Sequence, residues 1–368
     1  MHPRTLLATL AAALVLAPAA HAAKPPAGPP PVGHVFVVVL ENEDEANAFG
    51  PSSPAPYLAH TLTAAGAFVP GYYGIGHNSL DDYIAMVSGQ APTIATQADC
   101  PIFADLLPGT PAADGQVVGQ GCVYPAPVQT LAGQLAARGL PWKGYMEDMG
   151  DDPVRDSGTA CAHPMIGTPD RTQQGSPTDQ YATRHNPFVY FHSIIDDAAS
   201  CAAHVVGLTG LSRDLASART TPSLSFVTPD LCHDGHDARC ADGGPGGLPA
   251  ADAFLRQWVP RITGSPAFRR DGLLAIVFDE AGSDSSACCG EQPGPNTPAP
   301  GGQSGGPGGG RTGAVLLSPF IRPGTTTAQQ YDHYSLLRSI EDLFGLAHLG
   351  YAAAPGLRPF GSDVYTRG

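Results

Sequence analysis

The sequence predicts an α/β fold: a doubly wound, largely parallel central sheet with helices on both faces. Four short, almost wholly apolar runs have the composition of strands that are buried on both faces. They cover residues 35–40, 223–229, 273–278 and 313–320. Four other segments repeat apolar residues about every 3.6 positions, as helices do: 57–66, 128–139, 252–262 and 334–346. Strands that alternate with amphipathic helices favour a parallel sheet, because parallel strands need long crossover connections.

Residues 1–22 have the pattern of a secretory signal peptide. Arg4 precedes an apolar run at 6–16, and the A-H-A sequence that follows favours cleavage after Ala22. The run is too short to span a bilayer comfortably, and no other segment is apolar for long enough to be a membrane helix. We therefore expect a secreted protein, extracellular or periplasmic, and a retained amino-terminal anchor is the alternative.

The rest of the chain divides into three parts. Residues 23–33 are a Pro-rich leader without hydrophobic periodicity, which reads as a linker. Residues 34–351 contain the predicted strands and helices and form one folded domain, and residues 352–368 are a C-terminal tail. Within the domain, residues 290–310 are so rich in Gly and Pro that we expect a long surface loop.

The charge balance excludes some classes of partner. The chain has 33 acidic and 19 basic residues, for a formal net charge of −14. This argues against nucleic acid or an anionic membrane surface as a partner. An anionic substrate remains possible, because a bound metal ion can reverse the field of one pocket. No protein partner is implied.

The even number of cysteines, eight, favours disulfides in an exported protein. The simplest pairing joins cysteines that are close in sequence: 100 with 122, 161 with 201, and 232 with 240. Cys288 and Cys289 are harder to place, because a disulfide between adjacent residues is strained. A zinc cluster is the competing interpretation, which the absence of any C-x-x-C pair disfavours.

Polar residues collect where the apolar runs end. Glu41 and Asn42 follow the first run, and Asp279 and Glu280 follow the third. The second leads into "PDLCHDGHD", residues 229–237. Ligands of open α/β sheets bind at the carboxyl ends of strands, and these two pairs supply the oxygen ligands of a divalent cation. The alternative is that both pairs only begin turns or cap the next element.

The stretch "GIGHNSLDDYIAMVSG", residues 74–89, places a serine at the entrance of a predicted helix. Ser79 and Asp82 match the S-x-x-D/E capping pattern, with an apolar helical stripe from Leu80 onwards. The same position puts a hydroxyl at a helix amino terminus, which favours a phosphate anion. Ser79 can therefore be a cap, a nucleophile that needs a base or metal, or both.

Two further histidines stand at helix entrances. His185 lies in "RHNPFVYF" and His333 in "YDHYSLLRSI". A lone histidine in such a place is usually a capping or solvent-exposed residue, so neither is a strong candidate by itself.

Seven motifs in order resemble the secreted bacterial phosphoesterases, a group that includes acid phosphatases and phosphatidylcholine-type phospholipases C within the alkaline-phosphatase superfamily. The resemblance runs from about His34 to about Gly350 over the motifs "VVVLEN", "GHNSLDDYIAMVSG", "WKGYMEDM", "RHNPFVYF", "PDLCHDGHD", "VFDEAGSD" and "GGGRTGAVLLSPFIRPGT…YDHYSLLRSIEDLFGL". It implies a doubly wound fold of alkaline-phosphatase type and a hydroxyl nucleophile that is phosphorylated beside a divalent metal.

The resemblance also implies roles for individual residues. Ser79 matches the nucleophile, and the metal-binding pairs match Glu41, Asn42, Asp279 and Glu280. The polar residues around the phosphate match His77, His185, His236, Asp237 and His333.

One departure from the family pattern is the pair Asp81-Asp82, where the family commonly has Pro-Asn. The asparagine of related enzymes donates a hydrogen bond to phosphate, whereas an ionised Asp82 can only accept one and repels the substrate dianion. Asp82 is therefore protonated, binds metal, or weakens phosphate binding.

These observations predict a secreted, metal-dependent acid phosphatase that hydrolyses phosphate monoesters through a phosphoserine. The divalent ion is Ca, Mg, Mn, Fe or Zn. One alternative is a phospholipase C or other phosphodiesterase. A second is a non-catalytic protein that binds phosphate-containing ligands on the same scaffold.

Overall fold

The computed structural model describes residues 28–236, 239–302 and 306–366. Within these residues the strands are β1 His34–Leu40, β2 Ala67–Val69, β3 Tyr72–Tyr73, β4 Ile102–Phe103, β5 Leu107–Pro111, β6 Val117–Gln120, β7 Trp142–Met146, β8 Thr168–Pro169, β9 Val205–Gly207, β10 Leu224–Thr228, β11 Gly272–Phe278, β12 Ala314–Leu317, β13 Thr325–Thr326 and β14 Tyr331–Asp332. The predicted signal peptide lies outside the described residues.

The α-helices in the same part of the chain are α1 Glu45–Ala48, α2 Thr63–Ala65, α3 Ser79–Ser88, α4 Leu131–Ala137, α5 His192–Ile195, α6 Ala198–His204, α7 Thr209–Asp214, α8 Gly247–Thr263, α9 Pro266–Asp271 and α10 His333–Phe344. The segment predicted as a helix at 57–66 is a π-helix over Tyr57–Leu62 that continues into α2. Short 3₁₀ turns cover Thr96–Ala98, Thr183–His185, Pro187–Tyr190 and Gly350–Ala353.

The central sheet of the described residues has eight strands in the order β13-β2-β12-β11-β1-β10-β7-β9. From β11 to β9 all neighbours are parallel, so the prediction of a largely parallel sheet is confirmed. The run predicted at 313–320 gives β12, which is antiparallel to both β11 and β2. An apolar run contains no information about strand direction, so this reversal was not foreseen.

Helices cover both faces of the sheet, as the sequence predicts. Alternate residues of β1 enter different cores: Val35, Val37 and Val39 pack with residues of α3, α4 and α10. Phe36, Val38 and Leu40 pack on the other side with α8 and the π-helix. Because both faces of β1 are buried, its sequence is a continuous apolar run without polar alternation.

The Gly/Pro-rich stretch is only partly the surface loop that was expected. Its end packs against the segment before α3, where Gly309 N donates to Gly74 O at 3.2 Å and Ala281 N donates to Gly309 O at 2.8 Å. A Cβ on Gly309 would lie 2.3 Å from Gly76 O, so only glycine allows this approach. The composition thus reflects close backbone packing as well as lack of regular structure.

The end of the Pro-rich leader also contacts the domain. Val32 is buried, and Gly33 N donates to Asp271 O at 3.0 Å. Val32 and Gly33 are therefore packed on the domain, unlike a free linker, whereas residues 28, 29 and 31 are exposed.

The predicted cysteine pairs are confirmed, and the adjacent Cys288 and Cys289 are also bonded to each other. No cysteine remains for a zinc cluster, since all eight are described and paired. No helix in the described ranges is both long enough and apolar enough to cross a membrane.

Candidate active site

The carboxyl ends of β1 and β11, which are adjacent and parallel, bring the predicted metal-binding pairs together. Asn42 N donates to Asp279 Oδ1 at 3.0 Å, and Asn42 Nδ2 donates to Glu280 Oε1 at 2.8 Å. Glu41, Asp279 and Glu280 are all buried. Asn42 adopts a positive φ of 47°, which asparagine tolerates better than most residues. Two pairs of neighbouring residues, 237 or more positions apart in the sequence, thus form one cluster.

Ser79 is the first residue of α3, and its hydroxyl does not cap the helix. Asn78 is the N-cap residue, with a φ of 99°, and Leu80 N is bound instead by Asp99 Oδ1 at 3.1 Å. Ser79 Oγ donates to Glu41 Oε2 at 2.7 Å. The predicted capping role is therefore wrong, because Asp99 accepts the hydrogen bond of Leu80 N and the Ser79 hydroxyl donates to Glu41.

Glu41 is the centre of the site. Its Oε1 accepts a hydrogen bond from Tyr83 Oη at 2.6 Å, while Oε2 accepts the one from Ser79. Burial, and then repulsion from Asp279 and Asp234, raises the pKa of Glu41 well above its usual range. Burial and the charge of Glu280 likewise raise the pKa of Asp279 to about 6. Such crowding of carboxylates is costly unless a cation or protons offset it.

His77 is bound to the metal-binding cluster. Its Nδ1 lies 2.6 Å from Glu280 Oε2, and its Nε2 lies 3.0 Å from the carbonyl oxygen of Asp284. Both ring nitrogens face acceptors, so the geometry suits the imidazolium form, in which both donate. The hydrogen bond to Glu280 raises the pKa of His77, in the same direction.

His185 lies on the other side of Glu41. Its Nε2 is 3.3 Å from Glu41 Oε2, and its ring stacks on Tyr83 with a centroid distance of 5.3 Å. Burial, followed by the nearby Arg184 charge, lowers the pKa of His185 well below its usual range, so the ring is neutral. Ligand atoms of Glu41, His185 and Asp234 lie within 4.8 Å of one another.

His333 is fully buried behind the site at the start of α10. Its Nδ1 lies 2.9 Å from Tyr72 Oη, and its Nε2 lies 2.5 Å from Asp279 O and 3.2 Å from Asp82 Oδ1. Asp82 Oδ1 also accepts hydrogen bonds from Ile75 N at 2.6 Å and from Gly76 N. His333 is thus bound on both ring nitrogens by the protein itself.

The two remaining candidates stand at the edge of this region. His236 is exposed, and its backbone N–H donates to Asp234 Oδ1 at 2.9 Å. Its charge contributes to the lowered pKa of His185, so the two rings are near each other. Asp237 lies outside the described residues.

Sequence reasoning missed Asp234, Tyr83 and Arg184. Asp234 belongs to the "CHDGHD" string, where it could not be told from its acidic neighbours without the fold. Tyr83 comes four residues after Ser79, and this spacing indicates that the two side chains lie on the same face of the helix. Arg184 is a partly buried cation of this region: the charges of Asp99, Glu41 and Asp234 outweigh burial and raise its pKa.

Two buried oxygens of this cluster have the properties of metal ligands. Neither Asn42 Oδ1 nor Asp279 Oδ2 has a hydrogen-bond partner among the described residues. With Glu41 and Glu280 they make a set of carboxylate and amide oxygens, the donors that hard divalent cations prefer. The residues present therefore fit a divalent metal ion.

A family model, the Phosphoesterase family, matches residues 52–347. The chain belongs to this family. The resemblance to phosphoesterases in the sequence is thereby confirmed. The match includes α3 and the end of β11, whereas Glu41 and Asn42 precede it.

Three curated relatives are phosphatases. The acid phosphatase of Aspergillus fumigatus is 23% identical over 318 residues, 86% of this chain and 55% of that protein. The phosphate-repressible acid phosphatase of Penicillium chrysogenum is 25% identical over 84% of this chain and 58% of that protein. The phosphatidylinositol-3-phosphatase of Mycobacterium tuberculosis is 24% identical over 91% of this chain and 84% of that protein. This phosphoesterase spans just over half the length of the two fungal relatives.

Solved structures give more distant matches. A protein of the alkaline phosphatase superfamily from Vibrio parahaemolyticus matches with a TM-score of 0.49 and 10% identity over 92% of this chain and 74% of that one. A phosphonate monoester hydrolase from Silicibacter pomeroyi matches with a TM-score of 0.46 and 12% identity, over 91% and 77%.

Proposed function

We propose that the protein is an exported, metal-dependent acid phosphatase that hydrolyses phosphate monoesters through a phosphoserine at Ser79. The observation that carries the proposal is the 2.7 Å hydrogen bond from Ser79 Oγ to Glu41 Oε2 inside the predicted metal-binding cluster. The names of the three relatives, all phosphatases, support a phosphate monoester as the substrate class. The two fungal names support an acidic working range.

Ser79 supplies the nucleophile. Its oxygen attacks phosphorus as the hydroxyl proton passes to Glu41, and the bond from phosphorus to the substrate oxygen breaks while that oxygen takes up a proton to leave as the alcohol. Water then hydrolyses the phosphoserine and releases phosphate. Glu41 holds the hydroxyl proton and keeps the oxygen at the amino terminus of α3, where the helix dipole and backbone N–H groups favour an anion.

The metal would be held by Glu41, Asn42, Asp279 and Glu280. When bound, a divalent cation there withdraws charge from phosphoryl oxygens. His77 positions Glu280 by its hydrogen bond, and His333 positions Asp82. Neutral His185, together with His236, would contact the phosphate, and the same role for Asp237 remains a prediction from the sequence.

The test uses chelator-stripped protein refilled separately with Ca²⁺, Mg²⁺, Mn²⁺, Fe²⁺ or Zn²⁺. Hydrolysis of 4-nitrophenyl phosphate is compared with that of bis(4-nitrophenyl) phosphate from pH 4 to 9. We expect a metal-restored rate that is higher on the monoester. A higher rate on the diester would instead identify a phosphodiesterase of the phospholipase C kind, and no rate with any ion would favour the non-catalytic binding protein.

Ser79→Ala tests the nucleophile. We expect a loss of turnover of at least about 10³-fold, with metal content and melting temperature nearly unchanged. Ser88→Ala is the matched control, since Ser88 is a buried serine at the other end of α3. Mass spectrometry of acid-quenched enzyme should find a phosphoryl group on the Ser79 peptide. Full activity of the Ser79 variant would contradict the mechanism.

A further inference from the structure

A second pair of carboxylates lies outside the set assigned to the metal. Asp332 is the N-cap of α10 and is fully buried; its Oδ1 accepts a hydrogen bond from Ser335 N at 2.7 Å. Glu291 approaches it from the Gly/Pro-rich stretch. Asp332 Oδ2 and both carboxylate oxygens of Glu291 are buried and accept no hydrogen bond from another described residue, and the two carboxyls lie within hydrogen-bonding reach of each other.

The backbone around the pair is well anchored. The disulfide between Cys288 and Cys289 is followed by a turn in which Glu291 N donates to Cys288 O at 3.2 Å. Cys288 Sγ lies 3.6 Å from the carbonyl oxygen of Tyr331, the residue before Asp332. The loop that carries Glu291 is therefore fixed against the start of α10, and the two carboxylates are held together.

Among the described residues, no cationic side chain lines the space beside these two carboxylates. A small space beside the pair is lined by Cys289, Gly290, Glu291, Gln292, Asp332, Tyr334, Tyr351, Ala354 and Leu357, with no Lys, Arg or His among them. Neighbouring charges act in both directions: Asp82 on α3 raises the pKa of Glu291, whereas charge on His333 lowers that of Asp332, although burial lowers the pKa of His333 itself. Two buried carboxylates without a cation are unfavourable.

We propose that Glu291 and Asp332 bind a calcium ion that ties the Gly/Pro-rich stretch to α10. Carboxylate oxygens from a loop and a helix cap, with the buried hydroxyl oxygen of Ser335 on the same helical turn, are hard donors of the kind Ca²⁺ takes in irregular geometry. The role is structural. The same stretch continues to Gly301, whose carbonyl accepts a hydrogen bond from Gln97 Nε2 at 2.6 Å. Gln97 Nε2 also donates to Asp81 of α3, so the ion would help to hold this stretch beside the helix that begins with Ser79.

The test counts calcium ions on chelator-stripped protein by isothermal titration with CaCl₂ and by elemental analysis after dialysis. Glu291→Gln and Asp332→Asn keep the side-chain shapes, and asparagine is as good an N-cap as aspartate. We expect each variant to bind one calcium ion fewer than wild type and to lose most of the calcium-dependent rise in melting temperature. Asp114→Asn, at an exposed acid, is the matched control and should behave as wild type.

Asp279→Asn separates this site from the proposed catalytic one. It should lose turnover but keep the calcium ion that Glu291 binds, so the two proposals fail independently. Unchanged calcium stoichiometry in Glu291→Gln would overturn the inference. So would a wild type that binds no calcium and unfolds at the same temperature as Glu291→Gln, because the two carboxyls would then merely share a proton.

Discussion

Among single residues, Asp82 has the most direct bearing on the proposed binding of phosphate. It stands where related enzymes commonly have asparagine, yet its Oδ1 is used by backbone N–H groups and His333. Its Oδ2 is buried without a partner in the described part of the chain. Burial, followed by the charges of Glu280 and Asp279, raises the pKa of Asp82 well above its usual range, so this carboxyl holds a proton where a free carboxyl does not.

Asp82→Asn should improve phosphate binding. The amide keeps the acceptor at Oδ1 and places a permanent donor at the second position, which cannot ionise and so cannot repel a dianion at any pH. We expect inorganic phosphate to inhibit the variant at a roughly tenfold lower concentration, equivalent to about 1.4 kcal/mol. Asp81→Asn, the neighbouring buried acid, should have a smaller effect. Weaker inhibition in the Asp82 variant would show that the charge is needed.

Tyr83→Phe tests how Glu41 is positioned. The variant keeps the ring that stacks on His185 and loses the 2.6 Å hydrogen bond to Glu41 Oε1. We expect kcat to fall about tenfold, since a hydrogen bond to a charged group is worth about 1.5–3 kcal/mol. Tyr124→Phe is the control, because its buried hydroxyl has no described partner. Equal kinetics of the two variants would exclude a positioning role for Tyr83.

At the scale of elements, the sequence predicted the buried strands and missed the short or mixed ones. β1, β10 and β11 are mostly apolar and contain no Lys, Arg, Asp or Glu, whereas the apolar pattern of β7 is interrupted by Lys143 and Gly144. The edge strands of two or three residues are too short to carry a pattern. The metal-binding pairs were predictable because strand ends of a parallel sheet share one edge, but Asp234 comes from a loop whose path only the fold determines.

Glu341 in α10 gives this element a pH-dependent stability. Burial raises its pKa to about 8, so the folded state favours the protonated form. Its contribution to stability is complete below about pH 4.5 and is lost as the pH rises through 8. Glu341→Gln stays neutral and keeps the acceptor for Leu349 N.

We expect the melting temperature of wild type to fall relative to Glu341→Gln between pH 5 and 8. The loss is up to about 1.4 kcal/mol per pH unit. Thermal unfolding of both proteins across this range checks it. The exposed Asp242→Asn should follow wild type, and parallel curves for wild type and the Glu341 variant would refute the prediction.

For the whole molecule, the sequence composition predicted more about cellular location than about the chemistry of the active site. The acidic balance, the paired cysteines and residues 1–22 all fit an exported protein. These features predict neither the substrate nor the metal ion, because both depend on a few side chains in a chain of 368 residues. The contact of the Gly/Pro-rich stretch with α3 was also out of reach, because it depends on long-range backbone packing.

Export can be tested directly. When the full chain is produced in a bacterial host, we expect the mature protein outside the cytoplasm, with an amino terminus at Ala23. Edman sequencing or mass spectrometry of the amino-terminal peptide, together with cell fractionation, checks this. An intact Met1 on a cytoplasmic product would contradict the signal-peptide prediction.

The crowded carboxylates at the ends of β1 and β11 have a further consequence. Since burial raises the pKa of both Glu41 and Asp279, these groups hold protons over part of the range in which free carboxylates do not. A cation that enters must displace those protons, so its uptake acidifies an unbuffered solution and its affinity weakens as the surroundings become more acidic. Ambient acidity, acting through competition for the same oxygens, would therefore govern how much of the protein carries metal.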